Sequence, residues 1–131
     1  MKITRSEHRW RVTAGGDVLH DSLECLAFQQ GYRVASVSAE LGITEQHFRR
    51  IFQRDVGVPA KEWMKWERMV VARRMLAREM DPLEISDALG FAHANSFRRE
   101  FRETYEVTVS RFLELRRRIR ERGNPGCGNV Y

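Results

Sequence analysis

Apolar residues recur at helical spacing along most of this chain, in short blocks separated by glycine. Leu23, Leu26 and Ala27 share one face after two candidate N-caps, Asp21 and Ser22, and the block stops at Gly31, which predicts a helix. Val34, Val37 and Leu41 repeat the spacing before Gly42. Thr44 then caps a third block, in which Phe48, Ile51 and Phe52 form the inward stripe and which Gly57 and Pro59 end. From Pro59 to Glu79 there is no glycine, and Trp63, Val70 or Val71, and Met75 suit one long helix. At about 1.5 Å per residue it would reach about 31 Å. Asp81-Pro82-Leu83-Glu84 supplies an N-cap acid, a proline at the first helical position and Glu at the third, and opens a short helix that ends at Gly90. A further helix starts between Ala94 and Ser96, buries Phe97 and Phe101, and gives way near Tyr105. The last, roughly Val109 to Glu121, is expected to pack Phe112 with Leu115 or Ile119 before turning basic in "RRRIRER". Residues 1–20 show no sustained period and read as a poorly ordered arm, and 122–131 read as a disordered tail rich in Gly, Pro and Asn.

Two stretches say nearly the same thing: "ELGITEQHFRRIFQRDVG" from Glu40 and "ALGFAHANSFRREFRETYEV" from Ala88. Aligned, Val37 falls on Ile85, Ser38 on Ser86, Leu41 on Leu89, Gly42 on Gly90 and Ile43 on Phe91. After one inserted residue, Phe48 falls on Phe97, Arg49-Arg50 on Arg98-Arg99, Phe52 on Phe101, Val58 on Val107 and Trp63 on Phe112. Each copy is a helix, a glycine turn and a second helix, the layout of a helix-turn-helix whose second helix enters the DNA major groove. The expected class is all-α, homeodomain-like, with about seven helices: a first helix-turn-helix subdomain at 21–58, a linker helix at 59–79 and a second subdomain at 80–121. A plain helix bundle would explain the phenylalanines. It would not explain an Arg-Arg pair at the same outward place in both copies, which a shared polyanionic target does.

Charge agrees with that target. The chain has 23 Lys+Arg against 18 Asp+Glu, a formal net charge of +5 and a pI near 9.8. Most of the base is arginine, whose planar fork suits phosphate and guanine. Cys25 and Cys127 are isolated, no run approaches the roughly 20 apolar residues of a spanning helix, and the N-terminal segment lacks the apolar core of a signal peptide, so a soluble protein of the reducing cytosol without membrane contact is expected. His8, His20, His47 and His93 show no metal spacing, no glycine-rich phosphate loop is present, and no Ser or Cys lies in a nucleophile motif. Neither an enzyme nor a bound cofactor or metal is expected.

The whole resembles the DNA-binding domain of AraC/XylS-type transcription regulators over about residues 20 to 118. The resemblance rests on "RMVVARRML" at Arg68 to Leu76 and on "EISDALGFAHANSFRREFRETYEVTVSRF" with its Leu-Gly-Phe, Ser-x-Phe and Arg-x-Phe elements. It implies two helix-turn-helix units on double-stranded DNA near promoters, bending of that DNA, and activation through RNA polymerase. It also implies either a stand-alone form or a piece of a longer regulator. Carried over by position, Gln46, Arg49 and Arg50 would read bases from the first recognition helix, with Thr44 and His47 near phosphate. Helical spacing separately places Gln46, Arg49, Arg50 and Gln53 outside. In the second helix the matching positions are Ala94, Asn95, Arg98 and Arg99, with Ser96 near the backbone. Arginine would favour guanine, and Asn95 or Gln46 adenine. Three positions depart from the family pattern: His93 stands at a usual capping hydroxyl, Ala94 at a more polar residue, and Val109 at the proline that starts the last helix. A second head that reads fewer bases or docks less firmly is the expected consequence. With two heads in one chain, a monomer suffices on DNA. The competing expectation is an interaction module that engages polymerase or another regulator with little DNA specificity of its own.

Overall fold

The computed structural model describes residues 1–122. Among them, three strands precede seven helices: β1 (Lys2–Ser6), β2 (Arg9–Ala14), β3 (Asp17–His20), α1 (Leu23–Gln29), α2 (Val34–Glu40), α3 (Glu45–Val56), α4 (Ala60–Ala77), α5 (Pro82–Ala88), α6 (Ala94–Tyr105) and α7 (Val109–Glu121). The chain divides into two compact units, Met1–Val70 and the part beginning at Val71, with the boundary inside α4. The mostly helical class and the pair of helix-turn-helix layouts are as expected. A small sheet is added to them.

That sheet replaces the poorly ordered arm expected over 1–20. It is an antiparallel meander in the order β1-β2-β3, with Ile3 opposite Val12. Ile3 and Val12 are buried, and β1 lies on α3 while β2 lies on α1. Both outer edges of the meander are blunted. The Ile3 amide on β1 donates to Asp55 Oδ2 at 2.8 Å, and the β2–β3 register shifts between Val12 and Thr13, leaving Leu19 as a bulge. Only two residues of the meander reach the core, too few for a periodic signal in the sequence.

In the first unit, Ser22 caps α1 by accepting from the Cys25 amide at 3.1 Å. Leu23, Leu26 and Ala27 of α1, Val37 of α2, Phe48, Ile51 and Phe52 of α3, and Ala60 and Met64 of α4 are all buried. In the second unit the core is Leu76, Ile85, Leu89, Phe97, Phe101 and Val109. The buried positions of α4 are Ala60, Met64, Met69, Ala72 and Leu76, whereas Trp63, Val70, Val71 and Met75 are half-buried. Ala60, Met64, Ala72 and Leu76 follow one i, i+4 line on which Arg68 is half-buried, and Met69 stands one residue off it. At 18 residues α4 is also shorter than expected, about 27 Å. The turn after it begins at Arg78, where Glu79 takes a left-handed φ of 64° and the Met80 amide reaches back to the Met75 carbonyl.

At the C-terminal end the packing differs from expectation. Val109 is buried and Phe112 and Leu113 are half-buried, but Leu115 and Ile119 are 38% and 56% exposed. The amphipathic stripe of α7 runs on past the body it could cover. Apart from Arg122, the C-cap of α7, the expected tail at 122–131 lies outside the described residues.

Candidate nucleic-acid interface

The two helix-turn-helix turns have the same hydrogen bonds. In the first copy the Leu41, Gly42 and Ile43 amides donate to the Val37, Ala39 and Ser38 carbonyls at 3.1, 3.0 and 3.1 Å. In the second, Leu89, Gly90 and Phe91 donate to Ile85, Asp87 and Ser86 at 2.9, 3.2 and 3.0 Å. Both are Schellman endings, and both glycines take the left-handed backbone that the motif requires, with φ of 72° and 79°. Ser38 and Ser86 are the two buried polar residues of the described chain, one beneath each turn.

Aromatic rings then fix the recognition helices. Phe48 meets Phe52 at 5.7 Å between centroids, and Phe52 meets Trp63 at 5.5 Å. The matching contacts are Phe97 with Phe101 at 6.1 Å and Phe101 with Phe112 at 5.6 Å. With those rings inward, geometry forces the other side of each helix into solvent. On α3, Gln46, His47, Arg49, Arg50, Gln53 and Arg54 are exposed. On α6, Asn95, Arg98 and Arg99 are exposed, whereas Ala94 and Ser96 are half-buried.

Local partners distinguish the outward residues. Thr44 Oγ1 accepts from the His47 amide at 3.1 Å, so its hydroxyl is engaged in capping α3. Arg49 Nη2 lies 3.0 Å from Glu45 Oε2 one turn before it. The position equivalent to Glu45 is Ala94, and among the described residues Arg50, Arg98 and Arg99 have no carboxylate partner. His93 is the N-cap residue of α6 but makes no side-chain capping bond.

Arg54 was not among the residues expected at the interface. It continues the i, i+4 row Gln46–Arg50–Arg54, and its Nη2 donates to the Met1 carbonyl at 3.0 Å. It also pairs with Asp55 at 2.8 Å. The Arg54 hydrogen bond, with help from the Ile3 amide and the Lys2 charge, holds the Asp55 carboxyl below the usual carboxylate range against the opposing effect of burial. The meander is thereby tied to the far end of the recognition helix. The i, i+4 spacing alone was enough to have flagged Arg54.

Among the described residues no cluster of three or more His, Cys, Asp or Glu side chains is arranged to hold a metal ion, and no helix is long and apolar enough to cross a membrane. What the two units share is a pair of rigid helices, each presenting a cationic and amide-bearing face. A helix-turn-helix domain family matches residues 37–115, more than half of the chain. The chain belongs to the helix-turn-helix family of the AraC type. Sequence relatives of this AraC-type domain include the regulatory protein PocR of Salmonella typhimurium, 29% identical over 94 residues that make up 71% of this chain and 30% of that protein. The probable transcription factor PqrA of Proteus vulgaris is 26% identical over 103 residues, covering 75% of this chain and 84% of that one. The chain thus spans less than a third of PocR but most of PqrA. Solved folds agree. The C-terminal domain of the two-component response regulator yesN of Fusobacterium nucleatum superposes with a TM-score of 0.62 at 20% identity, over 70% of this chain and 90% of that one. An AraC-type regulator from Chromobacterium violaceum superposes with a TM-score of 0.56 at 16% identity, over 70% and 88%.

Proposed function

We propose that this chain is a sequence-specific DNA-binding transcription regulator whose α3 and α6 enter adjacent major grooves of a promoter-proximal site. The observation that carries the reading is the Arg-Arg pair exposed at matched positions of both helices, each beside a fully buried phenylalanine. Arg49, Arg50, Arg98 and Arg99 suit the O6 and N7 of guanine, and Gln46 and Asn95 suit adenine. Thr44, His47, Gln53, Ala94 and Ser96 lie at the periphery, where contacts to phosphate set register without reading sequence. Two heads in one chain let a monomer act. RNA polymerase is the partner through which such a regulator activates transcription, in the cytoplasm of a bacterium.

The test is selection of bound duplexes from a randomised pool, repeated with Arg49→Ala and Arg98→Ala. Two enriched blocks about 10 base pairs apart are expected. Each substitution should lower the preference at one block by about 1–3 kcal/mol, roughly 5- to 150-fold, and leave the other block unchanged. The proposal fails if neither substitution alters relative affinity among related duplexes.

A further inference from the structure

The second half of α7 is the most strongly charged surface of the described chain, and the recognition helices do not account for it. Between Val109 and Arg122 there are six arginines, at 111, 116, 117, 118, 120 and 122, against Glu114 and Glu121, an excess of four positive charges in a chain whose formal total is +5. Every residue from 116 to 122 is exposed. The helix is pinned at Phe112, whose ring packs on Phe101, and the ten residues from there to Arg122 carry it about 15 Å further along its axis. The helix-turn-helix family match ends at residue 115, so the basic extension lies beyond the matched domain.

Part of the charge is used within the fold. Glu114 holds Arg111 at 3.1 Å and Arg118 at 2.9 Å, Arg120 reaches Glu79, and Arg116 lies over the Phe112 ring at 6.0 Å. The Arg111 hydrogen bond, with the Arg118 and Arg117 charges, keeps the Glu114 carboxyl below its ordinary range. Arg117 and Arg122 make no ion pair among the described residues. A helix C-terminus favours cations by only a few tenths of a kcal/mol to about 1 kcal/mol at an exposed site, and one or two would satisfy it. Six arginines without a single lysine favour a planar, bidentate oxyanion, which in a DNA-binding domain is the phosphate backbone.

We propose that residues 116–122 of α7 form a phosphate-binding arm that grips the DNA backbone beside the second recognition head and adds affinity without sequence preference. The inference rests on the DNA-binding reading above, but its signature is separable from it. The experiment compares the full chain with the double variant Arg117→Gln/Arg122→Gln, glutamine being a good helix former. Affinity for one enriched duplex and for one unrelated duplex is measured across a salt series. The expected result is an equal loss of affinity on both duplexes and a slope of log K against log salt shallower by nearly 2, at about 0.9 for each phosphate that the variant no longer neutralises. Glu121→Gln should act oppositely, tightening both duplexes, and it keeps the test decisive if circular dichroism shows the double variant misfolded. An unchanged slope in folded variants overturns the arm in favour of a solvated helix end. Loss of binding to phosphatidylserine vesicles with DNA affinity intact overturns it in favour of a membrane surface. If the unaltered chain shows no base preference, the sequence-specific reading fails while the slope still reports on the arm.

Discussion

The two helix-turn-helix copies share their turns and aromatic packing but differ at both ends of the recognition helix. α3 starts on Thr44, whose hydroxyl caps it, has Glu45 in its first turn, and ends on Gly57 with φ of 89°. α6 starts on His93 without a cap, has no acid in its first turn, and ends on Glu106, forced to a left-handed φ of 58°. The first backbone bond shows the consequence: Phe48 to Thr44 measures 2.9 Å, whereas Phe97 to His93 is stretched to 3.4 Å. Thr44 and His93 occupy equivalent places, as do Gly57 and Glu106. Core packing was therefore enough to build the same helix twice, while the local signals that usually assist it were retained in one copy only.

The largest effects are expected in the two aromatic cores. Phe48→Ala and Phe97→Ala should each cost about 3–5 kcal/mol, since both rings are fully buried. Because α6 has less local support, Phe97→Ala should strip amide exchange protection from all of α6. Phe48→Ala should leave residual protection in α3, and equal loss in both helices would mean that the ends do not matter.

Exchanging caps sharpens the contrast. Thr44→Ala should lower thermal stability by about 1 kcal/mol and His93→Ala should change it little, whereas His93→Ser should raise it by about 1 kcal/mol. Chemical denaturation of the three variants tests this, and a large loss from His93→Ala would reveal a role for the imidazole that its missing capping bond does not suggest.

The smallest effect is at the other end. Glu106→Gly should relieve left-handed strain and stabilise the second unit by up to about 1 kcal/mol, less the backbone entropy that glycine brings. Gly57→Ala should cost about as much in the first, from backbone strain alone, because an added Cβ at Gly57 would meet nothing within 4 Å. Thermal melts of both variants check the signs.

Several of these contrasts were already visible in the sequence. The pairing of Thr44 with His93 follows from aligning the repeat, and the outward Arg49, Arg50, Arg98 and Arg99 follow from the inward phenylalanines one or two residues away. Arg54 was equally readable as the next member of an i, i+4 row. The small sheet was not. β1 and β2 place one residue each, Ile3 and Val12, in the core and β3 none, and the amide of Ile3 is satisfied by Asp55, 52 residues along the chain. The overextended stripe of α7 misled for a related reason. Leu115 and Ile119 have the right spacing for burial, but spacing does not say where the partner surface stops.

By itself, then, the sequence determined the helices, their glycine turns, the duplication and the faces that carry arginine. The helices, turns and faces depend on neighbours within about four residues, the range at which side-chain period and backbone chirality act, and the duplication is the recurrence of that local pattern. The tertiary structure alone decided that residues 2–20 pair into a meander on α1 and α3, and that α4 divides its buried positions between two units. It also decided that α7 is exposed from Leu115 onward. Those outcomes depend on contacts between residues distant in the chain, where burial is set by which surface arrives opposite.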